Sequence, residues 1–334
     1  MEHCSHYYNS NLPLFGLFLK TICADNSFME NNKSLNRRHF IQNLGLISLG
    51  GLGLSACSNL FEQKGSLMEN SQQRGLNLFI GHGSPMNAIE NNKFSMAQKT
   101  LLKNQLPPKA VIVISAHWVA DGTKIVSSPK PQIIYDFYGF PQELATYKYN
   151  ASGDPKLAKA TVDLINKNGH YKAEETHEWG LDHGAWAVLT HLFPKADIPV
   201  FQLSLNSNMS FHDHVELAKE LRELRKQNIM ILASGNLVHN LRMLGGSAPE
   251  VPHDFAREFD LWVEQKLNEK NQKALSSFEG ISATVVKNSH PTLEHYAPIL
   301  YTLGASFDDE KFEFPISGFQ EKAISMRSVW SVKG

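Results

Sequence analysis

The sequence predicts an α/β protein: a single three-layer domain whose central, mostly parallel or mixed sheet is flanked by helices, with a metal site at the strand ends. Three observations predict it. From Leu76 onward, short apolar runs alternate with amphipathic stretches. The chain of 334 residues, 42% hydrophobic and 19% charged, holds ample material for one large core. Three separate apolar runs end beside a histidine, and in an open α/β sheet ligands bind outside the carboxyl ends of the strands.

The first strand is expected at Leu78 to Ile80, and it stops at His82 between Gly81 and Gly83. Pro85 forbids a simple continuation. The two glycines remove Cβ on either side of His82, clearing space for a metal and a flat ligand. A second strand, Ala110 to Ser115, runs directly into Ala116-His117-Trp118, and a third is expected at Lys124 to Ser127. Pro155 to Asn168 reads as a helix, with Leu157, Ala160, Thr161 and Leu164 at helical spacing. His183 then sits in a glycine-bracketed turn before the apolar stretch Ala185 to Phe193. Strands at Ile198 to Ser204 and Ile229 to Ala233 enclose a helix at Phe211 to Gln227, whose Val215, Ala218, Leu221 and Leu224 share one face. The later strand leads through Ser234-Gly235-Asn236 to His239. His253 to Glu269 repeats the amphipathic pattern, Pro291 and Thr292 suit a helix start that puts His295 one turn in, and Ala323 to Val329 reads as a final strand. The apolar stripes are packing surfaces.

The balance of 32 basic against 33 acidic residues offers no electrostatic case for a nucleic-acid partner. Cys4, Cys23 and Cys57 all precede the domain, so neither a disulfide framework nor a thiolate metal site is available to it. Upstream, Arg37-Arg38 precede an apolar, glycine-rich run from Leu44 to Leu54 and the box Leu54-Ser55-Ala56-Cys57. This order resembles a bacterial twin-arginine signal joined to a lipoprotein cleavage box. The implied organisation is an upstream extension over 1–28, a signal over 29–56, a polar linker over 57–75 and a catalytic domain over 76–334. The protein is then expected to be exported to the periplasmic side of a bacterial membrane and anchored by a lipid on Cys57.

Several imidazoles at strand ends, without cysteine, suit zinc, iron(II), copper or nickel better than magnesium or calcium. The chain contains no Gly-x-Ser-x-Gly elbow and no Gly-x-x-x-x-Gly-Lys loop. The remaining histidines take the plain reading: His212 and His214 as solvated helix-start residues, and His170, His191 and His253 without a role.

Six ordered motifs carry a family resemblance. Gly81-His82-Gly83-Ser84-Pro85-Met86, Ser115-Ala116-His117-Trp118, Tyr135-Asp136-Phe137-Tyr138-Gly139-Phe140-Pro141, Gly180-Leu181-Asp182-His183-Gly184, Ser234 to Leu241 and His290-Pro291-Thr292-Leu293-Glu294-His295-Tyr296 resemble those of the 4,5-DOPA extradiol dioxygenases, within the class III extradiol ring-cleavage enzymes. The resemblance implies a mononuclear non-haem iron(II) or zinc ion, ligated by His82 and His117, with His239 and His295 lining or completing the site. It implies His183 as acid/base, shared with or replaced by His239, whose role as ligand or base stays open. His290 becomes a contact for a substrate carboxylate, and Tyr135, in its aromatic stretch, a wall for the ring. The implied partners are a small catechol and dioxygen, which together yield a ring-opened semialdehyde. Three neutral ligands and an open position also permit a zinc hydrolase working through a metal-activated water. A lipid-anchored metal-binding protein that has kept the fold without the chemistry is the third reading.

Overall fold

A computed structural model describes residues 74–334. The expected extension, the signal and all but the last two residues of the linker lie outside the described residues. The sheet strands are β1 (Asn77–Gly81), β2 (Ala110–Ala120), β3 (Thr123–Val126), β4 (Ala173–Thr176), β5 (Val200–Asn206), β6 (Ile229–Gly235) and β7 (Glu310–Glu313). A two-stranded hairpin of β8 (Phe319–Gln320) and β9 (Ile324–Ser325) follows, and β10 (Val329–Lys333) returns to the sheet. The order across the sheet is β4-β3-β5-β2-β6-β1-β10-β7. Its centre, β5-β2-β6-β1, is parallel, while β3 joins β5, β10 joins β1 and β7 joins β10 antiparallel.

The two sides of β2 show why its sequence is a continuous apolar run. Val111 and Val113 pack with Trp186 and Leu189 of the His183–Leu192 helix, and Ile112 and Ile114 pack with Leu217, Leu221 and Tyr301 on the other side. A further cluster joins Phe79 of β1 to Phe259 and Val263 of the Asp254–Asn268 helix and to Ile299 and Leu300. This is the expected three-layer mixed α/β arrangement. Among the described residues, no helix is long and apolar enough to cross a membrane.

Several local expectations are corrected. The Phe211–Gln227 stretch is broken into Phe211–Glu220 and Arg222–Arg225, with Leu221 ending the first and opening the second. Ala323 to Val329 is not one strand. Only Ile324–Ser325 pairs with β8, and the chain then crosses to β10. Arg327 interrupts the run because its guanidinium is pinned at 2.6 Å to Asp260 and 2.7 Å to Glu264. His214 is buried, not solvated. Its Nδ1 lies 3.0 Å from the Tyr301 hydroxyl, since the residue faces the Ala297–Ala305 helix rather than water.

Candidate active site

His82 follows the last residue of β1, and its backbone is held from both sides. Its N–H donates to Gly235 O at 3.0 Å, and Asn87 Nδ2 donates to its carbonyl at 2.9 Å. The flanking glycines serve a different purpose from the expected one. A Cβ on Gly81 would meet the backbone of Ser325 and Met326, and one on Gly83 would collide with Gln320 and Met326. They admit the hairpin segment behind His82, which fixes where the ring points. Ser234 Oγ donates to Gly184 O at 2.5 Å and lies 3.0 Å from His82 Nδ1. Its single proton is already used, so it accepts from His82 Nδ1–H, and His82 Nε2 keeps its lone pair.

His117 lies inside β2, where the pairing with β5 shifts register between Ile114 and Val119. Such an irregularity re-aims a side chain at the sheet rim. His117 Nε2 comes within 3.2 Å of His82 Nε2, and its Nδ1 lies 3.2 Å from Asp136 Oδ2. His295 was expected one turn into a helix, but it lies ahead of one. Pro298, in the first turn of Ala297–Ala305, marks the true start, and residues 291–296 are bends and turns. Its Nδ1 is 3.1 Å from Glu294 Oε1, while its Nε2 is buried without a partner.

One nitrogen each from His82, His117 and His295 therefore falls within a group spanning less than 4.8 Å. Each ring has an oxygen beside Nδ1, the arrangement by which proteins orient imidazoles that ligate through Nε2. Two Nε2 atoms 3.2 Å apart and an orphaned third fit a shared cation. Burial, followed by the neighbouring imidazoles, pushes His82 and His295 well below the ordinary histidine pKa, so both are neutral donors.

His183 opens the His183–Leu192 helix, so it lies in a helical first turn and not in the free turn expected. Asp182 caps this helix through Ala185 N at 3.1 Å, and is itself fixed by Ser115 Oγ at 2.6 Å and Gln202 Nε2 at 2.8 Å. The His183 ring lies 3.9 Å from that of His117 and 5.6 Å from that of His82. Burial, then the proximity of His117, lowers its pKa. Asp136 was quoted within a motif but given no role by sequence. Its Oδ1 accepts the His183 backbone N–H at 2.9 Å, and its Oδ2 lies 2.9 Å from His183 Nδ1. Burial raises its carboxyl pKa, but the two imidazoles win and hold it well below the usual carboxylate range. Burial also disfavours a charged His117, yet Asp136 reverses that and raises its pKa. The available signal was that Asp136 is the sole charge in an otherwise aromatic, glycine-containing stretch.

The other candidates separate. His239 stacks on His295 with centroids 3.6 Å apart, but contributes no nitrogen to the three-imidazole group. Burial, with the neighbouring histidines, pushes its pKa down to about 3. His290 turns away from the group: its Nε2 meets Leu237 O at 2.6 Å, and its ring packs on Phe259 and Tyr296. The Tyr135 hydroxyl donates to Tyr147 O at 2.5 Å, and its ring packs on Phe137 and Trp186. The aromatic that reaches His183 is Phe137, edge-on at 5.7 Å.

Residues 79–329 match the family model of the catalytic LigB subunit of aromatic ring-opening dioxygenase. The chain belongs to this family. It is similar to the 4,5-DOPA dioxygenase extradiol of Escherichia coli (strain K12), 38% identical over 255 residues that cover 75% of this chain and 93% of the relative. The protein of the same name from Beta vulgaris is 35% identical, over 70% of this chain and 88% of its own length. A crystal structure of an uncharacterized Escherichia coli K12 protein superposes with a TM-score of 0.66 at 34% identity, covering 77% of this chain and 99% of that one. The chain is an extradiol ring-cleavage dioxygenase with a histidine cluster able to hold the metal such enzymes use. Three imidazole nitrogen donors suit a borderline divalent ion and not magnesium or calcium.

Proposed function

We propose that this dioxygenase opens the ring of a catechol such as DOPA next to its paired hydroxyls, at one divalent ion held by His82, His117 and His295. The observation that carries the reading is the convergence of three imidazoles whose Nδ1 atoms all lie beside oxygens, with a fourth imidazole, His183, adjacent and sharing Asp136 with His117. Iron(II) or zinc fits these donors. Iron(II) is the ion we assign to turnover, because zinc has no redox chemistry. When bound, iron(II) supplies the charge that favours a deprotonated catechol and the redox coupling between ring and dioxygen.

The chain's own groups do the rest. His183, kept neutral at physiological pH by burial and by the nearby His117, accepts a hydroxyl proton and later returns it. Phe137 walls the space beside His183 with an aromatic edge suited to a flat ring. His239 lies flat against His295 and restricts that ring to one orientation. Its nitrogens lie outside the three-imidazole group, so His239 is assigned no metal bond. We also propose export and lipid anchoring through Cys57, supported by the arginine pair, the apolar run and the cysteine box in sequence order.

The test is to load the protein anaerobically with iron(II), add DOPA, caffeate or protocatechuate with air, and follow oxygen uptake together with the yellow semialdehyde. Uptake coupled to semialdehyde supports the reading. No uptake with any catechol, while zinc-loaded protein cleaves an ester or amide, would overturn it in favour of hydrolysis.

A further inference from the structure

We infer that Asp136 is a positioning residue that sets the tautomers of two imidazoles at once, holding a proton on Nδ1 of both His117 and His183. One Nε2 is thereby presented to the metal and the other to the substrate hydroxyl. This rests on the reading of His117 as a ligand and His183 as the proton acceptor.

The geometry has three parts. First, the carboxyl cannot turn freely, because Oδ1 accepts the His183 backbone N–H at 2.9 Å. Its loop is strapped to the same segment by Ile134 N donating to Leu181 O at 2.8 Å, two residues before His183. Second, Oδ2 is shared. It lies 2.9 Å from His183 Nδ1 and 3.2 Å from His117 Nδ1, in charge contact with both rings but too far off axis to form a hydrogen bond with His183 Nδ1. A single acceptor serving two tilted rings 3.9 Å apart must sit between their axes. Third, His183 Nδ1 is buried and hydrogen-bonded to no other group, which leaves the Asp136 carboxylate as its charged neighbour.

An ionised carboxylate only accepts. A lone pair on either Nδ1 would lie about 3 Å from a negatively charged oxygen, whereas an N–H there is attracted to it even off axis, so each ring places its proton on Nδ1. His82 and His295 use separate acceptors, Ser234 and Glu294. Asp136 is different because it couples a metal ligand to the proton acceptor.

D136N keeps the shape but replaces one oxygen by an N–H donor, which favours the opposite tautomer of whichever ring it faces. In zinc-loaded protein carrying ¹⁵N-histidine, long-range proton–nitrogen spectra should show His183 protonated on Nδ1 in the native chain and on Nε2 in D136N. With saturating iron(II), kcat for the catechol should fall by about 10²- to 10⁴-fold while KM changes by less than about threefold, as when an imidazole is held in the wrong tautomer. Metal affinity should weaken by roughly 10- to 100-fold, the usual effect of losing a partner to a ligating histidine. D136E should recover part of the loss. If D136N does not fold, D136A takes its place, with added formate expected to restore turnover.

An unchanged His183 tautomer with near-native kcat at saturating iron would overturn the inference. So would a second zinc per chain that vanishes in D136N, since Asp136 would then be a ligand beside His117 and His183. Failure of the function reading is separable: native protein inert toward every catechol leaves the tautomer and zinc-affinity measurements intact.

Discussion

His239 lies flat on His295, the ring planes 3° apart and the centroids 3.6 Å apart. Two imidazolium rings this close would repel, and burial, aided by neighbouring imidazoles, depresses the pKa of each. H239F should therefore keep the stack and bind one metal per chain, while H295F should lose the metal. Elemental analysis after gel filtration reads the difference. Metal loss in H239F would make His239 a ligand and contradict the three-imidazole site.

Ser234 is the relay that leaves His82 Nε2 free. S234A removes the acceptor for His82 Nδ1–H and leaves Gly184 O without its donor. Metal affinity should fall by about 10- to 100-fold with the fold intact, measured by competition with a chromogenic chelator. An affinity equal to native would show that His82 needs no such partner.

Gly184 tests the packing behind His117. On helix propensity alone, alanine would be better by about 1 kcal/mol. A Cβ there would lie 2.5 Å from Ser115 Oγ and 2.9 Å from His117 Cδ2. Overpacking costs about 1–3 kcal/mol and should win, displacing the His117 ring. G184A should thus lower both the melting temperature and metal affinity. A more stable variant with native metal binding would contradict this.

Much of the architecture was legible because strand runs and helical stripes report burial directly. Leu78 to Ile80, Ala110 to Ser115 and Ile229 to Ala233 all lie in parallel neighbours, and His82 and His117 come together at the same sheet edge. What stayed hidden depends on contacts across long sequence distances. Arg327 looks like a tolerable charge in an apolar run until Asp260 and Glu264 arrive from a helix far upstream. His214, next to Asp213 at a helix start, reads as solvated until Tyr301 packs over it. Asp136 sits in a loop without periodicity, so neither strand nor helix spacing singles it out. Gly81 and Gly83 signal close approach in either case, but only the fold reveals that a hairpin, not a ligand, fills the space.

His214 also gives the fold an acid-sensitive term away from the metal. Burial pushes its pKa from 6.5 down to about 4, against a smaller opposing pull from Asp213. The unfolded chain takes up this proton from about pH 6.5 downward, whereas the folded chain does so only near pH 4. The stabilisation is therefore complete above about pH 6.5, is lost progressively as the pH falls, and is gone below about pH 4, a total of about 3 kcal/mol. Urea unfolding of native and H214Q protein across that window should show a difference that shrinks with acidity. A difference independent of pH would contradict the assignment.

Ring opening at the proposed His82, His117 and His295 centre should insert both atoms of dioxygen into the product. The most direct measurement is a single turnover of iron(II)-loaded protein with DOPA under ¹⁸O₂, with the product reduced at once to prevent exchange and then analysed by mass spectrometry. The account predicts that both labelled atoms enter one product molecule, one in the new carboxylate and one at the new aldehyde carbon. A product carrying oxygen only from water would contradict it.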